Sequence, residues 1–129
     1  MASLAAVSIF ANDIDGIARF YRDVFGFLEI DAYRTPIFRA LDAQPALLGI
    51  HAHEAYELLG LTGESEPRGV RSMLNFEVES RDQVMILASR AVQEGGTLIK
   101  APFETYYGAF QAVLADPEAN VFRVNRMPG

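Results

Sequence analysis

A chain of 129 residues, 50% hydrophobic and 22% charged, suits one globular domain, or one domain of two small halves, and excludes two unrelated enzymatic domains. Eleven basic against seventeen acidic residues leave a formal charge of −6, the opposite of the basic footprint that nucleic acid selects. The absence of cysteine removes disulfides, thiolate metal sites and cysteine nucleophiles, and no apolar run approaches the roughly 20 residues of a membrane span.

Leu4–Ala11 is apolar and partly β-branched, which predicts a strand, and Asn12 and Asp13 behind it are good helix N-cap residues. Ile14, Ile17, Phe20, Tyr21, Val24 and Phe25 then recur at helical spacing up to Gly26, a natural stop. Phe27–Ile30, Pro36–Leu41 and Ala46–His53 read as three strands, with turn-rich Asp31–Thr35 and Asp42–Pro45 between them. Glu54–Gly69 opens on a short helix and closes with the Gly, Ser, Pro and Glu of a connector.

Val70–Glu79 predicts the next strand, and Ser80 with Gln83 three residues later forms a capping box for a helix. Val84, Leu87, Ala88, Ala91 and Val92 are its apolar face, and Gly95–Gly96 ends it. Thr97–Ala101, Ala109–Ala115 and Val121–Asn125 read as the last strands, separated by the aromatic loop Phe103–Tyr107 and the turn Asp116–Asn120.

Both halves therefore spell β-α-β-β-β, a repeat of about sixty residues, with expected bounds 1–56 and 70–129 around a connector at 57–69. Val7 aligns with Leu74, Ile9 with Phe76, Ala11 with Val78 and Asp15 with Asp82. Strand alternation turns Val7, Ile9 and Ala11 to the helix and Ala6, Ser8 and Phe10 to the other side. In the second half Leu74, Phe76 and Val78 oppose Met73, Asn75 and Glu77 in the same way.

VSIFANDIDGIARFYRDVFGF resembles the opening of the glyoxalase/bleomycin-resistance/dioxygenase proteins, the vicinal oxygen chelate superfamily. MLNFEVESRDQV resembles the start of that family's second module, and DPEANVFRVN its DP-x-G-N turn and last strand, with Ala119 where the family usually has Gly. The resemblance covers nearly the full chain, a single domain over 1–129. It implies an α+β fold: two βαβββ modules forming a cupped, eight-stranded mixed sheet with helices on the outer face, commonly completed as a homodimer.

Metal-using members take ligands from the first and last strands of each module. The corresponding positions here are Ala6, Met73 and Arg123, with His51 at or near the fourth. Alanine, methionine and arginine do not suit a hard divalent ion, and Arg123 brings a fixed positive charge to the place of the cation. The expectation is a protein without metal or other cofactor. The alternative ligand set is His51 and His53, spaced i, i+2 on one strand, with Glu77 as the carboxylate.

The residues facing the expected cup are Ser8, Asn75, Glu77, Arg123 and Asn125, with His51 nearby. Arg123 offers a bidentate fork to a carboxylate, phosphate or oxygen-rich ligand. Glu77 either pairs with Arg123 in an ion pair that satisfies only itself, accepts from a ligand amine, or acts as a base. Tyr56, Tyr106 and Tyr107, with Phe103, lie on loops expected to rim the cup; Phe10 and Phe110 are assigned to the core.

The expected function is binding of a small organic ligand, aromatic or oxygenated, in a metal-free cavity, of the kind that sequesters an antibiotic. A metal-dependent lyase or dioxygenase using His51, His53 and Glu77 is the alternative, and a cofactor-free isomerase or lyase with Glu77 as base is a third. The expected form is a cytoplasmic homodimer, with neither nucleic acid nor membrane as partner.

Overall fold

The computed structural model describes residues 1–66 and 69–129, so the connector positions Pro67 and Arg68 lie outside the described residues. The chain divides there into two compact units. The first contains β1 (Ala6–Ala11), α1 (Ile14–Phe25), β2 (Leu28–Glu29), a 3₁₀ turn at Asp31–Tyr33, β3 (Phe38–Asp42), β4 (Leu47–Ala52) and the short α2 (Ala55–Leu58). The second contains β5 (Leu74–Glu77), α3 (Arg81–Gln93), β6 (Thr97–Glu104), β7 (Phe110–Ala115) and β8 (Val121–Arg126). Among the described residues no helix is long and apolar enough to cross a membrane.

Each unit is an α+β layer with one four-stranded mixed sheet, in the order β1-β4-β3-β2 and β5-β8-β7-β6. The first strand of each unit runs parallel to the last, and the remaining neighbours are antiparallel. The βαβββ order read from the sequence thus holds in both halves, as two sheets of four strands.

Helix α1 begins where Asp13 accepts a hydrogen bond from the Gly16 N–H at 2.9 Å. It ends where Gly26 turns left-handed, at φ 78°, and its N–H reaches the Arg22 carbonyl. Its buried face, Ile14, Ile17, Ala18, Phe20, Tyr21 and Val24, packs on one side of the first sheet. Cross-strand partners share a face, so Val7, Leu48 and Leu41 form one row under the helix, and Ile9, Ile50 and Arg39 the next. Burying each large aliphatic there contributes roughly 1.5–3 kcal/mol.

Arg39 is the one charged member of that layer and is buried. Its Nε and Nη2 meet the Asp15 carboxylate of α1 at 3.0 and 2.9 Å, and its Nη1 donates to the Thr35 and Phe38 carbonyls. The guanidinium therefore ties the helix to the strand behind it while keeping its own donors satisfied.

In the second unit Ser80 caps α3 by accepting from the Gln83 N–H, and the Gln83 side chain returns to the Glu79 N–H. Val84, Ala88 and Ala91 are buried against the sheet, whereas Val92, expected on the same face, is exposed. Leu74, Phe122 and Leu114 form one row beneath this helix, and Phe76, Val124 and Ala112 another.

Two strands, β5 and β6, depart most from the sequence expectation. β5 spans only Leu74–Glu77, because β8 starts at Val121 and gives the residues before Leu74 little to pair with. β6 runs on to Glu104, since β7 supplies Gln111 and Phe110 as partners for Phe103 and Glu104. Phe103 is therefore a strand residue, and the loop shifts to Thr105–Ala109. The register shifts along β6 let this edge strand carry Pro102.

Candidate functional site

In each unit the sheet face away from the helix carries the side chains of interest. On the first sheet Ser8, Gly49 and Ala40 form one row, and Phe10, His51 and Phe38 the next. Ser8 is exposed and the three rings are half-buried. Gly49 makes this face possible: a Cβ there would lie 2.8 Å from Ser8 Oγ and 3.0 Å from the Phe38 ring. The missing side chain lets Phe38 lie down beside its row.

Above this row the rings build a continuous shelf. His51 contacts Phe38 and Phe10, with centroids 4.7 and 5.6 Å away. Tyr56, projected by α2, stacks on Phe10 at 4.1 Å and 19°. His53, exposed beyond the end of β4, stands edge-on to Tyr56. Burial among these rings pushes the His51 imidazole below its ordinary pKa and the Tyr56 phenol above its own. The shelf brings together His51 and Tyr56 from the expected site, and it takes up Phe10 from the expected core.

The second sheet presents polar groups on the corresponding face. Asn75, Arg123 and Val113 form one row; Glu77, Asn125 and Gln111 form the next. Arg123 Nε donates to Asn75 Oδ1 at 3.0 Å and Nη1 to Gln111 Oε1 at 3.4 Å. Both acceptors are neutral amides. Glu77 does not pair with Arg123: its Oε1 accepts from Asn125 Nδ2 at 2.8 Å and its Oε2 from the Met127 N–H at 2.7 Å. In place of the ion pair, one of the alternatives for Glu77, stands an amide relay, because the cross-strand partners of Arg123 and Glu77 are Asn75 and Asn125.

Two consequences follow for chemistry. Among the described residues no carboxylate lies within 4 Å of Arg123, so the protein leaves this half-buried cation uncompensated. Glu77 orients Asn125, whose Oδ1 is then buried with no donor among the described residues. Each Glu77 oxygen accepts one hydrogen bond, so the carboxylate holds Asn125 and the Met127 N–H in place.

Gln111 is the member of this face that sequence reasoning missed. It is 7% exposed, and a polar residue alternating with Ala112 and Leu114 on an apolar strand was the available signal. Tyr106 and Tyr107 stand at the tip of the β6–β7 hairpin, edge-on to one another and exposed, with neither ring nor hydrogen-bond contact to Arg123. Phe110, assigned to the core, lies under the Arg81 guanidinium on the helix side.

A sequence profile described as the Glyoxalase/Bleomycin resistance protein/Dioxygenase superfamily matches residues 3–124. The chain belongs to this superfamily. A crystal structure described as a glyoxalase/bleomycin resistance protein/dioxygenase family enzyme, from Burkholderia phytofirmans PsJN, is 50% identical. The match covers 98% of this chain and all of that one, at a TM-score of 0.95. A glyoxalase-related enzyme from Fulvimarina pelagi is 22% identical over 99% of this chain and 90% of its own, with a TM-score of 0.87. A lactoylglutathione lyase from Agrobacterium tumefaciens is 17% identical over 98% and 94%, at 0.74. These last two share the fold. No curated protein sequence matches significantly.

The side chains at the positions where metal-using members are expected to take their ligands do not suit a metal ion. Ala6 and Met73 are exposed, and Met73 lies just before β5. Arg123 spends two guanidinium nitrogens on the Asn75 and Gln111 amide oxygens, and a fixed positive charge does not serve as a metal ligand. Among the described residues no group of three His, Asp or Glu side chains that could hold a metal ion is found.

Proposed function

We propose that this superfamily member binds a small organic ligand bearing an acidic or oxygen-rich group, and that it does so without a metal. The observation carrying the reading is Arg123, held in place by Asn75 and Gln111 yet paired with no carboxylate among the described residues. A guanidinium positioned by neutral amides keeps its charge and part of its fork for an incoming anion.

The aromatic shelf of Phe38, His51, Phe10 and Tyr56 is a second recognition surface, suited to a planar ring, with Ser8 beside it. Tyr106 and Tyr107 remain rim candidates through their exposure alone. Sequestration of an aromatic or oxygenated antibiotic is a use consistent with these groups.

Calorimetry with benzoate and benzyl alcohol tests the reading, since the probes share a ring and differ in charge. Benzoate binds the wild-type protein and benzyl alcohol binds more weakly. Arg123→Met lowers benzoate affinity about tenfold or more, as expected for a lost charge-assisted pair. Benzoate binding that is absent, or indifferent to Arg123→Met, removes Arg123 as the anchor.

A further inference from the structure

Lys100 is the single lysine of the chain. Its cross-strand partner on β7 is Val113, whose partner on β8 is Arg123, so the three lie in one transverse row of the second sheet. Paired residues share a face, which puts Lys100 and Arg123 on the same open side with the small apolar Val113 between them. Neighbouring strands stand about 4.8 Å apart, and the two Cα atoms are therefore about 10 Å apart.

The ammonium rests on a ring of the same face: Lys100 Nζ lies 3.8 Å from the centroid of the Phe103 ring, itself opposite Gln111. Like Arg123, Lys100 has no carboxylate within 4 Å among the described residues. The one acid among the strand residues of this face, Glu77, turns its oxygens to Asn125 and Met127, and two cations against one carboxylate leave the face net positive. A chain with a net charge of −6 thus sets two cations, neither in an ion pair among the described residues, on either side of an apolar floor. Its overall field repels anions, so this local reversal of sign is what would retain one.

Resting on Arg123 as the anion anchor, we propose that the ligand is an organic dianion whose two acidic groups, carboxylate or phosphate, are separated by a short apolar body. One group lies on Arg123, the other on Lys100, and the body crosses Val113. A monoanion would leave the second cation to water, whereas a dianion engages both ends.

Benzoate and terephthalate test this, because the second carries one more carboxylate on the opposite side of the same ring. Calorimetry at low salt gives terephthalate an affinity about fivefold above benzoate, the scale of one exposed ion pair. Lys100→Met abolishes that advantage, bringing the two affinities together. As a second readout, terephthalate but not benzoate protects Lys100 from acetylation by an amine-selective reagent, followed by peptide mass spectrometry. Equal affinities in the wild type, or an advantage that survives Lys100→Met, overturn the two-cation site while leaving the Arg123 anchor standing. Loss of both probes' binding only in Arg123→Met confirms the anchor. Benzoate binding that ignores Arg123→Met removes the anchor, and the dianion site with it.

Discussion

Ala119 occupies a left-handed conformation, at φ 70°, in the turn between β7 and β8. The neighbouring Asp116 carboxylate accepts from the Glu118 and Asn120 N–H groups, at 2.8 and 3.0 Å, and so enforces the turn whatever residue sits at 119. A Cβ is unfavourable in that region, so Ala119→Gly should stabilise the protein by about 0.5–1 kcal/mol once glycine's extra chain entropy is offset, read as a raised Tm. His51 supplies a pH-dependent counterpart. Burial lowers its pKa in the folded chain below the 6.5 of an unperturbed histidine, so the unfolded chain binds the proton more readily. Its contribution is complete above pH 6.5 and declines as pH falls from there through the folded pKa. Thermal melts across that window should show a steeper acid-side loss for wild type than for His51→Gln. Legibility at this scale was uneven. Asp13, Gly26 and Ser80 declared their roles through local chemistry, since a cap needs only its own turn. The partners of Arg123 did not, because a guanidinium reaches several neighbours and only the register of three strands decides which.

At the scale of elements, β4 shows how one residue shapes a face. Gly49 has no left-handed backbone to explain it; its value is the space a Cβ would take from Ser8 and Phe38. Gly49→Ala should displace the Phe38 ring, cost about 1–3 kcal/mol by overpacking, and shift the His51 ring resonances in NMR spectra. Helix α1 depends on its cap in the ordinary way, and Asp13→Ala should cost about 1 kcal/mol in a urea titration. Helix–strand order was readable because the two periods, 3.6 and 2, differ so clearly. Strand ends were not, since they follow the partner: β5 stops short where β8 offers nothing, and β6 continues past Pro102 because β7 does.

For the whole molecule, the two sheets each end on strands paired along one side only, β1 and β2 in the first and β5 and β6 in the second. Apolar side chains such as Leu28, Leu58, Val70 and Ile86 are exposed. Such edges and side chains favour association, and we propose a homodimer as the working form; light scattering coupled to gel filtration should give twice the chain mass. By itself the sequence determined the βαβββ repeat, the caps, the helix-facing rows and the superfamily, because these depend on spacing and on neighbours close along the chain. Only the tertiary structure decided that Glu77 serves Asn125 rather than Arg123, that Phe103 belongs to a strand, and that Lys100 shares a row with Arg123. Those outcomes depend on which strands pair and in what register, and a polar side chain takes the partner that the register brings nearest.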